Sequence, residues 1–356
     1  MSQDSLLVDT ILQKLYQSKQ IKAAQRQQLI EVELADAQRS NALGITVANC
    51  QQKITERIEL FVSLVDQVWG FCQQLGFKNI ESVLILLWNL WLPLAIQLTA
   101  EQSELGRTII QGILGGQGTG KSTLAAVLKL ILNYLNYSTV TISIDDLYKT
   151  YSDRLKLQAE DSRLIWRGPP GTHDVELGIT VLEQCLQANN NESILIPRFD
   201  KSAYNGAGDR AIPETVTKPD IVILEGWFVG VHPISENNFD SPPPPIVTAA
   251  DKQFAIDNNR RLRDYLPLWS KLDRLIVFNP VDYRLSQQWR KEAEHKMIAT
   301  GKTGMTDAQI DEFVEYFWLA LHPELLITPL INNSQLTDLV IEINRDRTYG
   351  RIYQPN

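Results

Sequence analysis

Cysteine is scarce in this chain, and its three copies, Cys50, Cys72 and Cys185, fall far apart with no paired spacing. Neither a disulfide framework nor a thiolate zinc site is expected from such an arrangement. Basic charge is also short: 34 Lys and Arg stand against 42 Asp and Glu, a net charge of −8. A chain that grips nucleic acid without regard to sequence needs a basic face, so nucleic acid is not an expected partner. The start, "MSQDSLLVDTILQKLYQ", has no basic stretch ahead of an apolar one and no small-residue cleavage site, which predicts no secretory leader and a cytoplasmic protein. Uninterrupted apolar runs are missing as well. The nearest, "SVLILLWNLWLPLAIQL", carries Asn89, Pro93 and Gln97, and its clean runs are shorter than the roughly 20 residues a bilayer requires. A buried core helix is the expected reading, and no membrane partner follows. No internal repeat is visible.

What is present is an ordinary globular composition, 44% hydrophobic and 21% charged, in 356 residues. That length suits one large α/β domain with an appendage, or two domains. Residues 1–105 show apolar positions at three- and four-residue spacing and no alternation, which predicts an all-α N-terminal region. From 106 to 356 short β-branched segments alternate with helical ones: "TIIQGIL", "YSTVTISID", "ESILIPRF", "DIVILEG", "RLIVFN" and "DLVIEIN". The fold class expected there is α/β, a parallel sheet with helices on both faces. "NNFDSPPPPIV" reads as an extended connector, and the polar end "RDRTYGRIYQPN" is expected to pack over the last strand or fray.

"GILGGQGTGKSTL" carries the pattern G-x-x-x-x-G-K-S, with Gly115, Gly120, Lys121 and Ser122 at its fixed positions. A strand precedes it and a helix-forming run follows, so backbone N–H groups from Gly115, Gly116, Gln117, Gly118, Thr119, Gly120, Lys121, Ser122 and Thr123 would face phosphates at a helix N-terminus. This is the P-loop arrangement. In it the lysine reaches the β- and γ-phosphates of ATP and the serine hydroxyl joins the Mg²⁺ shell.

Ligands of open parallel sheets lie outside the carboxyl ends of the strands, so the polar residues ending each strand are the candidates. "ISIDDLYKT" places Asp145 and Asp146 at one such end. One carboxylate could accept a proton from a substrate hydroxyl while the other helps hold hydrated Mg²⁺; an N-cap for the next turn is the structural alternative for either. "DIVILEGW" ends in Glu225, where a carboxylate holds the metal shell or orients water. "WRGPPGTHD" and "PRFDKSAYNGAGDR" contribute Arg167, His173, Asp174, Arg198, Asp200, Lys201 and Arg210. Their mixture suits a small, polyhydroxylated anion, and equally a solvated surface loop. The run after "LIVFN" presents Arg284, Arg290, Lys291 and Lys296 ahead of a "TGKTG" break. A lid around 284–304 that brings a cation to the transferring phosphoryl group is one reading, a charged helix face the other.

In their order, these segments resemble the P-loop small-molecule kinases that include phosphoribulokinase, uridine kinase and pantothenate kinase. Within that group "SIDDLY", "WRGPPGTHD", "PRFDKSAYNGAGDR", "LEGWFVG", "QWRKEAE" and "GMTDAQIDEFV" look like segments of the plant-type D-glycerate 3-kinases, which make 3-phosphoglycerate in photorespiratory salvage. The likeness spans roughly 107–345, with Leu147 where the family often has Phe. It implies ATP with Mg²⁺ as cofactors, Ser122, Asp146 and Glu225 at the metal, and Asp145, three before Tyr148, as the base that takes the 3-hydroxyl proton of D-glycerate. It also implies Lys121 and Arg290 at the transferring phosphoryl group, and an acceptor site drawn from Tyr148, Arg167, His173, Asp174, Arg198, Lys201 and Arg210. Other acceptors, such as pantothenate, a nucleoside or a sugar phosphate, and a nucleotide-operated regulatory protein remain open alternatives. Oligomeric state is not legible.

Overall fold

A computed structural model describes residues 3–189, 192–301 and 304–356. The chain divides into two compact units: Met1–Arg107, Ser122–Thr139 and Arg351–Gln354 form one, and Thr108–Lys121, Val140–Gly350 and Pro355–Asn356 form the other.

The first unit is helical. Its helices are α1 (Gln3–Ser18), α2 (Ala23–Ala35), α3 (Ala37–Ala42), α4 (Cys50–Gln74), α5 (Ile80–Leu86), α6 (Leu92–Leu105) and α7 (Lys121–Tyr134), the last reaching it from Ser122 onward. The run "AAQRQQLIEVELADAQRSNALG" is two helices, because the Asp36 carboxylate accepts the Arg39 N–H and caps a fresh start at α3. From Ile80 to Leu105 the helix continues for 26 residues through a π-turn at Leu87–Trp91. That turn lies just ahead of Pro93, which has no N–H to return to the carbonyl four residues back. Length and composition alone would let this helix cross a membrane, yet 67% of its most apolar window is buried inside the fold. It is the core helix the sequence predicts. Phe61 of α4 meets Trp88 edge-on at 6.1 Å, and Phe77 meets Trp91 at 6.5 Å.

The second unit contains all of a mixed, mostly parallel sheet except Thr139 and Arg351–Tyr353. Its strands are β1 (Ile109–Gly115), β2 (Thr139–Ser143), β7 (Ile221–Gly226), β8 (Arg274–Pro280), β9 (Leu339–Ile343) and β10 (Tyr349–Tyr353), in the order β10-β9-β8-β1-β7-β2. β1 runs parallel to both β7 and β8, pairing Ile113 with Glu225 and Gly115 with Phe278. Alternate residues Ile110, Leu114, Val222, Leu224, Leu275 and Val277 pack into one core cluster with α9 (Val175–Gln187). Their neighbours Ile109, Ile113, Ile221, Ile223 and Ile276 are buried as deeply, so both faces of the sheet are covered.

Three departures from the sequence expectation follow from local chemistry. "ESILIPRF" supplies β3 (Ile194–Ile196), which leaves the main sheet and pairs antiparallel with β6 (Glu214–Val216). Between them β4 (Phe199–Asp200) pairs with β5 (Asp209–Arg210), making a glycine-rich ribbon instead of a parallel strand. The polar C-terminal segment is strand β10 rather than a fraying end. The remaining helices are α8 (Tyr151–Glu160), α10 (Ala249–Arg261), α11 (Leu266–Trp269), α12 (Leu285–Ala299), α13 (Asp307–Ala320) and α14 (Pro323–Leu326). Lys302 and Thr303, the centre of the "TGKTG" break, lie outside the described residues.

Candidate active site

Strand β1 ends at Gly115, and the loop that follows folds back on itself. Thr119 is buried, and its hydroxyl donates to the Gly116 carbonyl at 2.8 Å. A Cβ on Gly115 would lie 2.6 Å from that hydroxyl oxygen. Gly118 has φ +78° and faces Trp289 of α12 so closely that a Cβ would stand 2.7 Å from the Trp289 Cβ. Glycine is required there on both counts. Lys121 Nζ lies 3.8 Å from Glu225 Oε2, so the register of β7 against β1 delivers a carboxylate beside the loop lysine. Ser122 and Thr123 open α7 directly after it.

Past the end of β2 the chain tightens into a 3₁₀ turn, Ile144–Leu147, which separates the two adjacent aspartates. Asp146 accepts the Ser143 N–H at 3.0 Å and pairs with Arg198 at 3.0 Å, so neither aspartate is the N-cap: Ser143 caps the turn and Asp146 answers it from the third position. Burial pushes its carboxyl up against the pull of these partners. Asp145 points elsewhere. Its Oδ1 accepts from the Tyr148 hydroxyl at 3.0 Å and its Oδ2 from Lys201 Nζ at 2.5 Å. Burial would raise this carboxyl, but the Lys201 ammonium and the Tyr148 hydrogen bond outweigh it and hold it below the usual carboxylate range.

The cations proposed for the acceptor are gathered on one side of this turn, and each is engaged. Arg198 also bonds the Thr141 carbonyl and Glu214. Arg210 pairs with Asp174 at 2.5 Å, while the other Asp174 oxygen caps α9 at the Leu177 N–H. Arg167 donates to the Gly206 and Ala207 carbonyls and lies over the Phe199 ring at 5.6 Å. Arg154 of α8, which sequence reasoning passed over, does the same at the Ala207 and Gly208 carbonyls. Two arginines therefore bind the "YNGAGD" loop by its backbone. Only its position in the α8 helical run marks Arg154 in sequence, and its partners in the loop lie more than fifty residues away.

His173 lies buried beneath the turn, its ring stacked on Tyr148 at 4.5 Å between centroids. Burial lowers its pKa to about 3 against the raising field of Asp145, so it is neutral at physiological pH.

Lid residues are drawn together differently. Arg290 pairs with the buried Glu294 at 3.2 Å and lies 5.7 Å from the Phe313 ring centroid. Lys291 pairs with Asp311 at 2.6 Å, Arg284 with Asp282, and Lys296 is exposed. Trp289, immediately before Arg290, is the side chain of α12 that meets the loop, at Gly118. Its indole N–H donates to the Arg345 carbonyl at 3.1 Å, beside a cleft formed by Gln288, Glu292 and 344–348 past the end of β9. A separate cavity of about 410 Å³ starts at Gly115–Gln117 and runs among Trp227, Phe228, Phe317 and Trp318. Asn279, Asp282, Arg284 and Glu324 also line it, and the polar cluster around Asp145 is not part of it.

A glycine-rich loop after the central strand, a lysine and a carboxylate beside it, and a half-buried aspartate past the next strand's end define a P-loop kinase. The chain matches no family model. It is 35% identical over 228 residues to an uncharacterized kinase of Schizosaccharomyces pombe, covering 60% of this chain and 79% of that one. It is 31% identical over 251 residues to the chloroplastic D-glycerate 3-kinase of Arabidopsis thaliana, covering 67% of this chain and about half, 53%, of the relative. The D-glycerate 3-kinase of Cryptococcus neoformans var. grubii is similar in structure with a TM-score of 0.66 at 25% identity, over 74% of this chain and 98% of that one. The chain belongs to the P-loop kinase family that includes D-glycerate 3-kinase.

Proposed function

We propose that this kinase transfers the γ-phosphoryl group of ATP to the 3-hydroxyl of D-glycerate, giving 3-phosphoglycerate and ADP. The observation that carries the reading is the Lys201–Asp145–Tyr148 group: a half-buried carboxylate past the end of β2, held ionised by a cation that a substrate acid can also bind. Relatives named as D-glycerate 3-kinases support the choice of acid.

Each side chain then has a task. Backbone N–H groups of Gly115–Lys121 cradle the phosphates, and Lys121 spans them as charge moves to the leaving oxygen. The cleft at 344–348 would receive the adenosine half, with Trp289 packed against the loop at Gly118. Hard oxygen donors fit Mg²⁺, which binds through one or two carboxylates plus phosphate oxygens, and no ready-made cage of three or more acidic, His or Cys groups occurs among the described residues. Glu225 beside Lys121 would hold the ion; Ser122 has the same duty by its place in the motif, and Asp146 is less available because Ser143 and Arg198 already use it. Bound Mg²⁺ neutralises charge on the β- and γ-phosphates. The acceptor's carboxylate draws Lys201 away from Asp145, and the released carboxylate orients the 3-hydroxyl and takes its proton as the oxygen attacks. Arg210 and Arg198 stand beside that clamp, and Arg290, held by Glu294 in this structure, would have to turn to reach the phosphoryl group.

The test is ADP release by the purified protein with ATP and Mg²⁺, comparing D-glycerate, L-glycerate, pantothenate, uridine and no acceptor, with the product identified by NMR. Stimulation by D-glycerate and formation of 3-phosphoglycerate are expected. Slow turnover indifferent to every acceptor would overturn the reading.

A further inference from the structure

We infer that Tyr265 is a positioning residue for the acceptor site: it holds the His173 ring in the tautomer that carries its proton on Nε2, presenting an N–H donor to an anionic oxygen of the acceptor. The inference rests on the reading of the Asp145 cluster as the acceptor site.

The argument is a count of protons and lone pairs. Tyr265, just ahead of α11, is 1% exposed. Its hydroxyl oxygen accepts the Gly171 N–H at 3.0 Å and lies 2.8 Å from His173 Nδ1. The hydroxyl has a single proton, and His173 Nδ1 is its acceptor among the described residues. Were Nδ1 protonated instead, the Tyr265 oxygen would receive two donors, its own proton would be buried without an acceptor, and Nε2 would present a bare lone pair. With the proton on Nε2 the tyrosine and Nδ1 are both satisfied, and one unmet group remains in place of two. An unmet buried group costs about 1–3 kcal/mol, which favours the first arrangement. Nε2 is indeed a buried atom with no hydrogen-bond partner among the described residues.

The surroundings leave the ring little choice of orientation. Tyr148 stacks on it at 4.5 Å, and Phe228 and Tyr265 meet it edge-on at 5.4 and 5.8 Å. Phe228 and Trp269 in turn pack on the Tyr265 ring, at 5.1 and 5.7 Å. The ring cannot swing to exchange its nitrogens without displacing this aromatic stack. The tyrosine thus converts a buried neutral histidine from an ambiguous group into a fixed donor, one ring away from the Asp145 carboxylate that Tyr148 also touches. Sequence offers no sign of this, since Tyr265 lies 92 positions from His173.

The chain has four histidines, so histidine-only ¹⁵N labelling gives four ring systems, and the His173→Gln variant identifies which belongs to His173. Long-range ¹H–¹⁵N correlation of the acceptor-free protein at neutral pH should show His173 neutral, with a protonated-type Nε2 and an unprotonated-type Nδ1. A proton on Nδ1, or a charged ring, would overturn the inference whether or not D-glycerate is the acceptor. Kinetics supply the second arm, using whichever acid proves to be the acceptor. Tyr265→Phe should lower kcat/KM for that acid by about three- to tenfold, the worth of one hydrogen bond, with KM for ATP unchanged, while Tm falls because the Gly171 N–H loses its acceptor. In the His173→Gln background, where an amide N–H₂ stands in for Nε2–H and has no tautomer to fix, Tyr265→Phe should cost nothing further. An equal loss in both backgrounds would mean that Tyr265 acts through packing, and would overturn its role at His173.

Discussion

Glu33 and Asp145 each meet a basic side chain, in opposite settings. Glu33 lies 2.7 Å from Arg57 with both side chains 1% exposed, Arg39 comes within 3.4 Å, and the Trp88 ring covers Arg57 at 5.0 Å. Asp145 meets Lys201 at 2.5 Å, but the lysine is 62% exposed on a loop. Burial pushes both carboxyls up and the cations pull both below their ordinary range, so the direction of the shift does not tell the two apart. The freedom of the cation does. Arg57 has nowhere to go, so its pair is part of the architecture of the helical unit. Lys201 is free to move, and in the proposed function it leaves for the substrate carboxylate, so its pair is there a resting state of the site.

Breaking each pair should therefore be felt in a different observable. Asp145→Asn keeps shape and removes the base: kcat should fall by about two to four orders of magnitude, with Tm and ATP affinity retained in a thermal-shift titration. Arg57→Met leaves the Glu33 charge buried without its main partner and should cost about 3–5 kcal/mol in urea unfolding, while the Glu33→Met/Arg57→Met pair recovers most of that loss. His173 sharpens the contrast from the neutral side. The unfolded chain takes up a proton below the ordinary value of 6.5, whereas the folded ring resists protonation down to about 3. The unfolded state is favoured throughout that window, so stability must fall as pH drops through it, by about 2 kcal/mol between pH 7 and pH 5. Urea unfolding of His173→Gln at the two pH values should lack that part of the loss.

The phosphate loop was legible because its function resides in contiguous backbone: glycines at fixed spacing, a strand before and a helix after need no distant partner. Glu225 was legible for a related reason, since an apolar run ending in a carboxylate marks the strand end that parallel pairing places beside the loop. The acceptor cluster was legible only as a set of segments. Arg198 finds Asp146 across 52 positions and Lys201 finds Asp145 across 56, so the sequence displays cations without displaying that each is already paired. Arg154 and Tyr265 carry no local mark because one acts on carbonyls of a remote loop and the other through a buried ring. β3 was misplaced for a physical reason too. An apolar triplet reads the same in a sheet core as in a ribbon, and the glycines of "YNGAGD" that turn the ribbon back come after it.

One comparison tests the central claim, that an acid acceptor is recognised by taking Lys201 from Asp145. The measurement is kcat/KM for D-glycerate against glycerol, which keeps the hydroxyls and lacks the carboxylate, in the wild-type protein and in Lys201→Ala. A charge-assisted hydrogen bond of this kind is worth about 1.5–3 kcal/mol, so the preference for the acid should shrink by about ten- to a hundredfold in the variant. An unchanged preference would contradict the account, because the carboxylate would then be read by some other group and the Lys201–Asp145 pair would be one more fixed ion pair, like that of Glu33 and Arg57.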